Sequence, residues 1–330
     1  MAPASVSVAV GAVLAGMLVL AAFILSRYET RGGQGRAVRR SDLAQSVRGG
    51  ATGARLLGLY RVLAFLYTLG VHVHSLVYEM PPYQAYRFYT VWSYTALILY
   101  FGVAACHSLS APSPRSSEKP QPLRSPNEIR LDASPFGLSH PPHLLSTAPV
   151  RIFPGYATVV LANLVWLNVW VVDTVLWTVL YPMYVRMGIG STVFTFTSIN
   201  CHAVNLPLMA VEMAANRIPV VPYHVAYTIL FALAFTCMEL VLHDAFRVAF
   251  SYPFQRLTPA APMWYAAIAG GVFVFQSVVV LLDRAKRRAV APPAGDGAAD
   301  GDVPWYGAVP RPVGDAEAPG EEHAALLRAG

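Results

Sequence analysis

Seven apolar stretches, each close to the ~20 residues an α-helix needs to cross a bilayer, decide the fold of this chain before any motif is considered. They cover 5–25, 56–78, 88–106, 156–181, 193–213, 223–242 and 262–282. Hydrocarbon offers no water to exposed backbone amides, so such segments must be helices. The expected fold is all-α: a polytopic transmembrane helical bundle, with a six-helix core plus one extra N-terminal transmembrane helix. Composition agrees, since the 330 residues are 55% hydrophobic and only 13% charged.

The formal net charge is +6, and its placement matters more than its sum, because orientation follows the Lys and Arg that flank the spans. Seven arginines fall in 27–55, five Lys or Arg in 108–155, one in 214–222 and four in 283–288. The alternate connections hold only Arg87, then Arg186, then Arg247 and Arg256. This places the cation-rich connections and the C-terminus in the cytosol, and the N-terminus in the lumen or outside. The membrane is the endoplasmic reticulum and endomembrane system or the plasma membrane. A basic balance of this kind answers to topology and anionic lipid, not to nucleic acid. The first segment lacks a basic leader, exceeds the ~7–15 residues of a signal-peptide core and is followed by arginines, so it reads as an uncleaved signal anchor. A cleaved leader would leave six spans and the same cytosolic C-terminus. Cys106, Cys201 and Cys237 lie in or at the edge of spans, so no disulfide framework is implied.

Three regions follow. Residues 1–55 are the signal anchor and a basic cytosolic linker, 56–283 the six-span core, and 284–330 an acidic cytosolic tail expected to be disordered. Within the core, 108–152 is a proline- and serine-rich loop that cannot bury enough apolar surface to offset chain entropy. Ser113, Ser116 and Ser125 in it are ordinary loop serines that carry little weight as modification sites.

The fifth span asks for a reason, because "SINCHAVNLPLMAVEM" carries Asn200, Cys201, His202, Asn205 and Glu212 through the membrane. At about 100° per residue, Ser198, His202, Asn205, Met209 and Glu212 gather on one face of the helix. Ionisable groups at this depth cost at least ~2.5–3.5 kcal/mol each, so they face the bundle interior or a wet cavity. Pro207 should kink the helix and free a carbonyl for a nearby polar group. In "VWLNVWVVDTVLW", Asp173 shares a face with Trp166, Trp170 and Trp177. Glu239 and His243 are i, i+4 neighbours, and Thr90, Ser93 and Tyr94 share a face of the third span. Thr90, Asp173, His202, Glu239 and His243 fall in the lumenal half or at its rim.

Plainer roles compete at each position. A threonine in a membrane helix usually bonds its own backbone or helps helices pack. For His202 structural hydrogen bonding competes with chemistry, and for Asp173 and Glu239 cross-helix charge pairing does. His72 and His74 point to different faces, which argues against a metal pair or bis-histidine haem, and no cofactor or metal is expected.

Three pieces, "YEMPPYQAYRFYTVW", "INCHAVNLPLMAVEM" and "FSYPFQRL", resemble the androgen-induced membrane proteins over about residues 56–283. That family has a six-span core and acts as intramembrane threonine hydrolases on fatty-acid esters of hydroxy fatty acids. The resemblance implies that Thr90, after the Glu-Met-Pro element, is the nucleophile. It implies that His202, which precedes a Leu-Pro and then a Glu-Met at the family's spacing, is the essential histidine. "RFYTVWSYTALILYFG" and "SYPFQRLTPAAPMWY" are similar to the broader rolling-stone and plant membrane relatives, which leaves a non-catalytic role in adhesion, trafficking or signalling as the alternative. On the hydrolase reading a membrane lipid ester is the substrate and a base must take the Thr90 proton. Asn205, Asp173 or Glu239 is then the candidate to orient the imidazole, with His243, Ser198 and Glu212 as further pocket residues.

Overall fold

A computed structural model describes residues 4–28, 43, 44, 46, 47, 50–110 and 154–290. The loop residues 111–153, which include Ser113, Ser116 and Ser125, and the tail from 291 onward lie outside the described residues. Among the described residues there are helices and no strands, apart from one isolated bridge between Ser46 and Asn216.

Among the described residues six helices are long and apolar enough to cross a membrane, and the protein is a multi-pass membrane bundle. Helix α1 is Ala4–Tyr28. Helix α2, Gly50–His74, runs on into a wider π turn, Ser75–Glu79, and a short α3, Pro82–Ala85, leads to α4, Tyr89–Ser110. Helix α5, Pro154–Thr174, continues through a second π turn, Val175–Leu180, into α6, Tyr181–Arg186. Then α7, Phe196–Ile199, a third π turn, Asn200–Val204, and α8, Asn205–Ala215, form one helical run. Helices α9, Val225–Phe246, and α10, Ala261–Val290, complete the bundle. The run 196–215 covers the expected fifth span from Phe196 on, but it is not among the six apolar helices because its polar residues dilute its hydropathy.

Helix α5 is the central post. In its most apolar window 72% of residues are buried, against 11% for α1, which lies outermost against α9 and α10. Helix α2 packs on α4, α4 on α5, and α8 against α5 and α2. The turn after α6 is set by glycine. Gly188 takes φ 75°, and Gly188 N–H and Ile189 N–H close on the carbonyls of Val185 and Tyr184 at 3.0 and 2.9 Å. A Cβ at Gly190 would lie 2.7 Å from Val185 Cγ2, so the chain can reverse this tightly only without one.

Helix α10 extends seven residues past the boundary drawn at 283, so the start of the expected tail is helical. The reason is local, since Asp283 is fully buried and pairs with Lys286 at 3.1 Å and Arg287 at 2.8 Å, one turn further on.

Candidate functional site

A cavity of about 100 Å³ opens between α1, α4, α5, α9, α10 and the helical run 196–215. A single water needs only ~10–15 Å³ in the same measure, so several would fit. Its wall is apolar, with Met17, Val172, Leu233, Phe235 and Val272 among its residues. A few polar groups converge on it, chiefly Thr90, His202, Thr236 and Tyr252. A much smaller gap of about 10 Å³ lies on the other side of Thr90, between Ser93, Tyr94, Cys201 and Asn205.

His202 owes its position to the π turn and to Pro207. In a π turn each carbonyl is taken by the N–H five residues on; for His202 that residue is Pro207, which has none. Trp177 Nε1 donates to the His202 carbonyl instead, at 2.8 Å, and itself lies in the π turn that follows α5. Behind the ring, Asp173 Oδ1 is 3.7 Å from His202 Nδ1. Asn205 Nδ2 donates to the same Asp173 oxygen at 3.1 Å and to the Cys201 carbonyl at 2.5 Å. All three side chains are buried, and neither His202 Nδ1 nor Asp173 Oδ2 has a hydrogen-bond partner among the described residues. The arrangement is an imidazole on a cavity wall with a carboxylate behind it and an amide fixing the carboxylate.

Thr90 is the second residue of α4, and its N–H, one of the amides a helix start leaves unpaired, donates to the Tyr252 hydroxyl at 3.5 Å. No hydrogen bond joins Thr90 to His202 directly; the two meet across the cavity. The Glu-Met-Pro element acts one step away. Glu79 Oε1 accepts from Thr197 N–H at 3.2 Å, placing a carboxylate at the N-terminus of the helical run that carries His202. Burial pushes the Tyr252 phenol up to about 12, against hydrogen bonds from Thr90 that favour its charged form.

Several residues read as one polar face separate in three dimensions. The π turn inserts an extra residue per turn, which breaks the constant 100° step. Ser198 therefore stays half-exposed in the first turn, where the Thr195 hydroxyl caps its N–H at 3.1 Å, and Asn200 turns inward to the Tyr67 hydroxyl. Glu212 lies ten residues beyond His202, roughly 15 Å along the helix, in a separate network. It accepts from Arg61 Nε and Nη2 at 3.0 and 2.6 Å, from Tyr100 at 2.8 Å and from Asn216 at 2.9 Å. Glu239 and His243 do not line the cavity; they bind the connection between α9 and α10. His72 meets Tyr86 at 3.1 Å, while His74 packs on Phe196, so the two imidazoles diverge. Among the described residues no three His, Cys, Asp or Glu side chains gather as metal ligands.

Arg61, Tyr252 and Met17 escaped the sequence reading. Arg61 sits inside an apolar span as its only charge, which was a usable signal. Tyr252 and Met17 left none, because one lies in a connection and the other in a helix read as an anchor. Comparison with known protein families, curated proteins and solved structures finds no match to this chain.

Proposed function

We propose that the protein is an intramembrane hydrolase of lipid esters, with Thr90 as nucleophile and His202 as base. On this reading it is a relative of the androgen-induced membrane proteins, with a six-span core, an added N-terminal span and its C-terminus in the cytosol. One observation carries the reading: a hydroxyl from α4 and an imidazole from the run 196–215 line one apolar cavity, with Asp173 behind the imidazole. A buried acid, a base and a nucleophile on separate helices are the parts acyl transfer requires.

Thr90 Oγ attacks the ester carbonyl carbon while its proton passes to His202, bridged by one cavity water because no hydrogen bond joins the two side chains. The carbonyl electrons move to oxygen, then return as the alkoxide of the hydroxy-lipid leaves and takes the proton from His202. Water attacks the acyl-threonine by the same route, releasing a carboxylic acid and restoring both residues. Asp173 holds the imidazole in place and stabilises its charged form. The apolar wall suits an acyl chain that arrives laterally from the bilayer.

The test is labelling of purified protein with a fluorophosphonate probe, beside turnover of a panel of lipid esters that includes fatty-acid esters of hydroxy fatty acids. Wild type should label and turn over, and Thr90→Ala and His202→Ala should do neither while keeping the wild-type melting temperature. A folded wild type that neither labels nor hydrolyses any ester refutes the reading and leaves the non-catalytic alternative.

A further inference from the structure

The connection between α9 and α10 is held more firmly than a link between two helices needs. Arg247 ends α9 at φ 56°, in the left-handed region. A residue with a Cβ enters that region at a cost of order 1–3 kcal/mol and stays only where its surroundings over-determine it. Here they do. Val248 N–H donates to the Leu242 carbonyl at 3.2 Å, His243 Nδ1 meets the Val248 carbonyl at 3.0 Å, and the Arg87 guanidinium donates to the Ala249 carbonyl. Glu239 accepts from both the N–H and the hydroxyl of Ser251, at 2.8 and 3.0 Å. The next residue is Tyr252, whose ring stacks on Phe254 with centroids 5.3 Å apart and stands edge-on to Phe88 at 6.0 Å. Its own N–H is bonded to Gln255 Oε1 at 3.3 Å.

These ties aim one phenol at Thr90. The Tyr252 oxygen accepts from Thr90 N–H at 3.5 Å and lies in hydrogen-bond range of the Thr90 hydroxyl, so its own proton faces either Thr90 Oγ or the cavity both residues line. The cavity wall around it is apolar. A carbonyl oxygen held in the cavity beside Thr90 Oγ would take the phenol proton as its acceptor. The same position lies at the N-terminus of the 22-residue α4, where the helix dipole favours negative charge.

We infer that Tyr252 is a further catalytic residue, the O–H donor that binds the carbonyl oxygen of a lipid ester while Thr90 Oγ bonds to its carbon. The inference rests on the hydrolase reading above. As the Oγ–C bond forms, the carbonyl electron pair moves to oxygen and meets the Tyr252 proton. Tyr252 keeps that proton throughout, and the pair returns to the C=O bond when the alkoxide leaves. A donor fixed before the reaction begins stabilises the charge without reorganising. The strained, tied connection supplies that fixation, and burial keeps the phenol neutral at ordinary pH.

The experiment compares wild type, Tyr252→Phe and Thr90→Ala on the ester that wild type hydrolyses best, with melting temperatures measured alongside. Tyr252→Phe keeps the stacked ring and removes only the donor. Its kcat should fall by about 10²–10³-fold with KM little changed. Affinity for an alkyl trifluoromethyl ketone, which forms a tetrahedral oxyanion on Thr90, should fall in parallel, while affinity for a non-reactive alkyl alcohol should not. If Tyr252→Phe does not fold, 3,5-difluorotyrosine at the same position keeps the shape and should move the alkaline limb of kcat to lower pH. A kcat within about threefold of wild type in Tyr252→Phe, or an unmoved alkaline limb in the fluorinated protein, overturns the role of Tyr252 alone, provided Thr90→Ala is dead. An inactive, folded wild type overturns both this inference and the hydrolase reading.

Discussion

Replacing Glu212 with alanine leaves the Arg61 guanidinium, which is fully buried, without its counter-ion. Arg61 keeps the Leu43 carbonyl at 2.7 Å and the Ser108 hydroxyl at 2.8 Å, and loses the contacts at 3.0 and 2.6 Å. Tyr100 and Asn216 lose their acceptor at the same time. Removing one partner of a buried pair costs about 3–5 kcal/mol. Hydrogen bonds to a charged group, at ~1.5–3 kcal/mol each, describe the same loss in other terms and are not added to it. At ~2–4 °C per kcal/mol for a folded unit of this order of size, the melting temperature should fall by roughly 6–20 °C. Tryptophan fluorescence during thermal unfolding in detergent micelles measures it. The double substitution Arg61→Met with Glu212→Met should recover most of the loss, because a well-packed apolar pair is often as stable as the ion pair it replaces. Since Glu212 lies ~15 Å from His202 along the helix, Glu212→Gln should keep ester turnover at low temperature. A melting temperature within about 2 °C of wild type for Glu212→Ala, or a double variant no better than the single, would refute the reasoning.

Asp173→Asn should cut kcat by about 10²–10⁴-fold with little change in melting temperature, because it removes the charge behind His202 and keeps the shape; an unchanged rate would show that the carboxylate does not serve the imidazole. Trp177→Phe leaves the His202 carbonyl without its donor and should cost about 1–3 kcal/mol, read as a lower melting temperature. Met17→Trp puts bulk into the cavity from α1 and should lower turnover of long-chain esters about tenfold while short-chain esters are spared; equal loss on both would argue against α1 as a wall. Tyr252 also predicts a pH effect. Its phenol titrates at about 12 in the fold against 10.0 outside it, so below pH 10 it adds no pH dependence. From pH 10 to 12 the unfolded chain loses the proton first, and stability relative to Tyr252→Phe should decline by about 3 kcal/mol, at ~1.36 kcal/mol per unit.

The helices were legible because a bilayer leaves the backbone no alternative, and Pro207 was legible because a missing N–H has a definite consequence for a carbonyl nearby. Trp177 supplied the donor that consequence required. The pairing of His202 with Asp173 was one of three candidates by sequence, and only the meeting of two π turns separates Asp173 from Glu239. Ser198 and Glu212 were misplaced for two different reasons. Projecting a helix at a constant angle assumes 3.6 residues per turn, and the π turn at Asn200–Val204 violates that between Ser198 and Asn205, while distance along the axis, which the projection ignores, removes Glu212. Tyr252 was invisible because its place depends on Arg247, Ser251 and Gln255 acting together across a connection with no periodicity.

Helix α1 contributes Leu14 and Met17 to the cavity wall even though it is the least buried of the six apolar helices. A segment that looks like a mere address label is therefore also a piece of the chamber. Were a peptidase to trim it away, the acyl tails of surrounding lipid would stand where two side chains now close the side of the chamber, and whatever size selection the chamber imposes would pass from the protein to the bilayer.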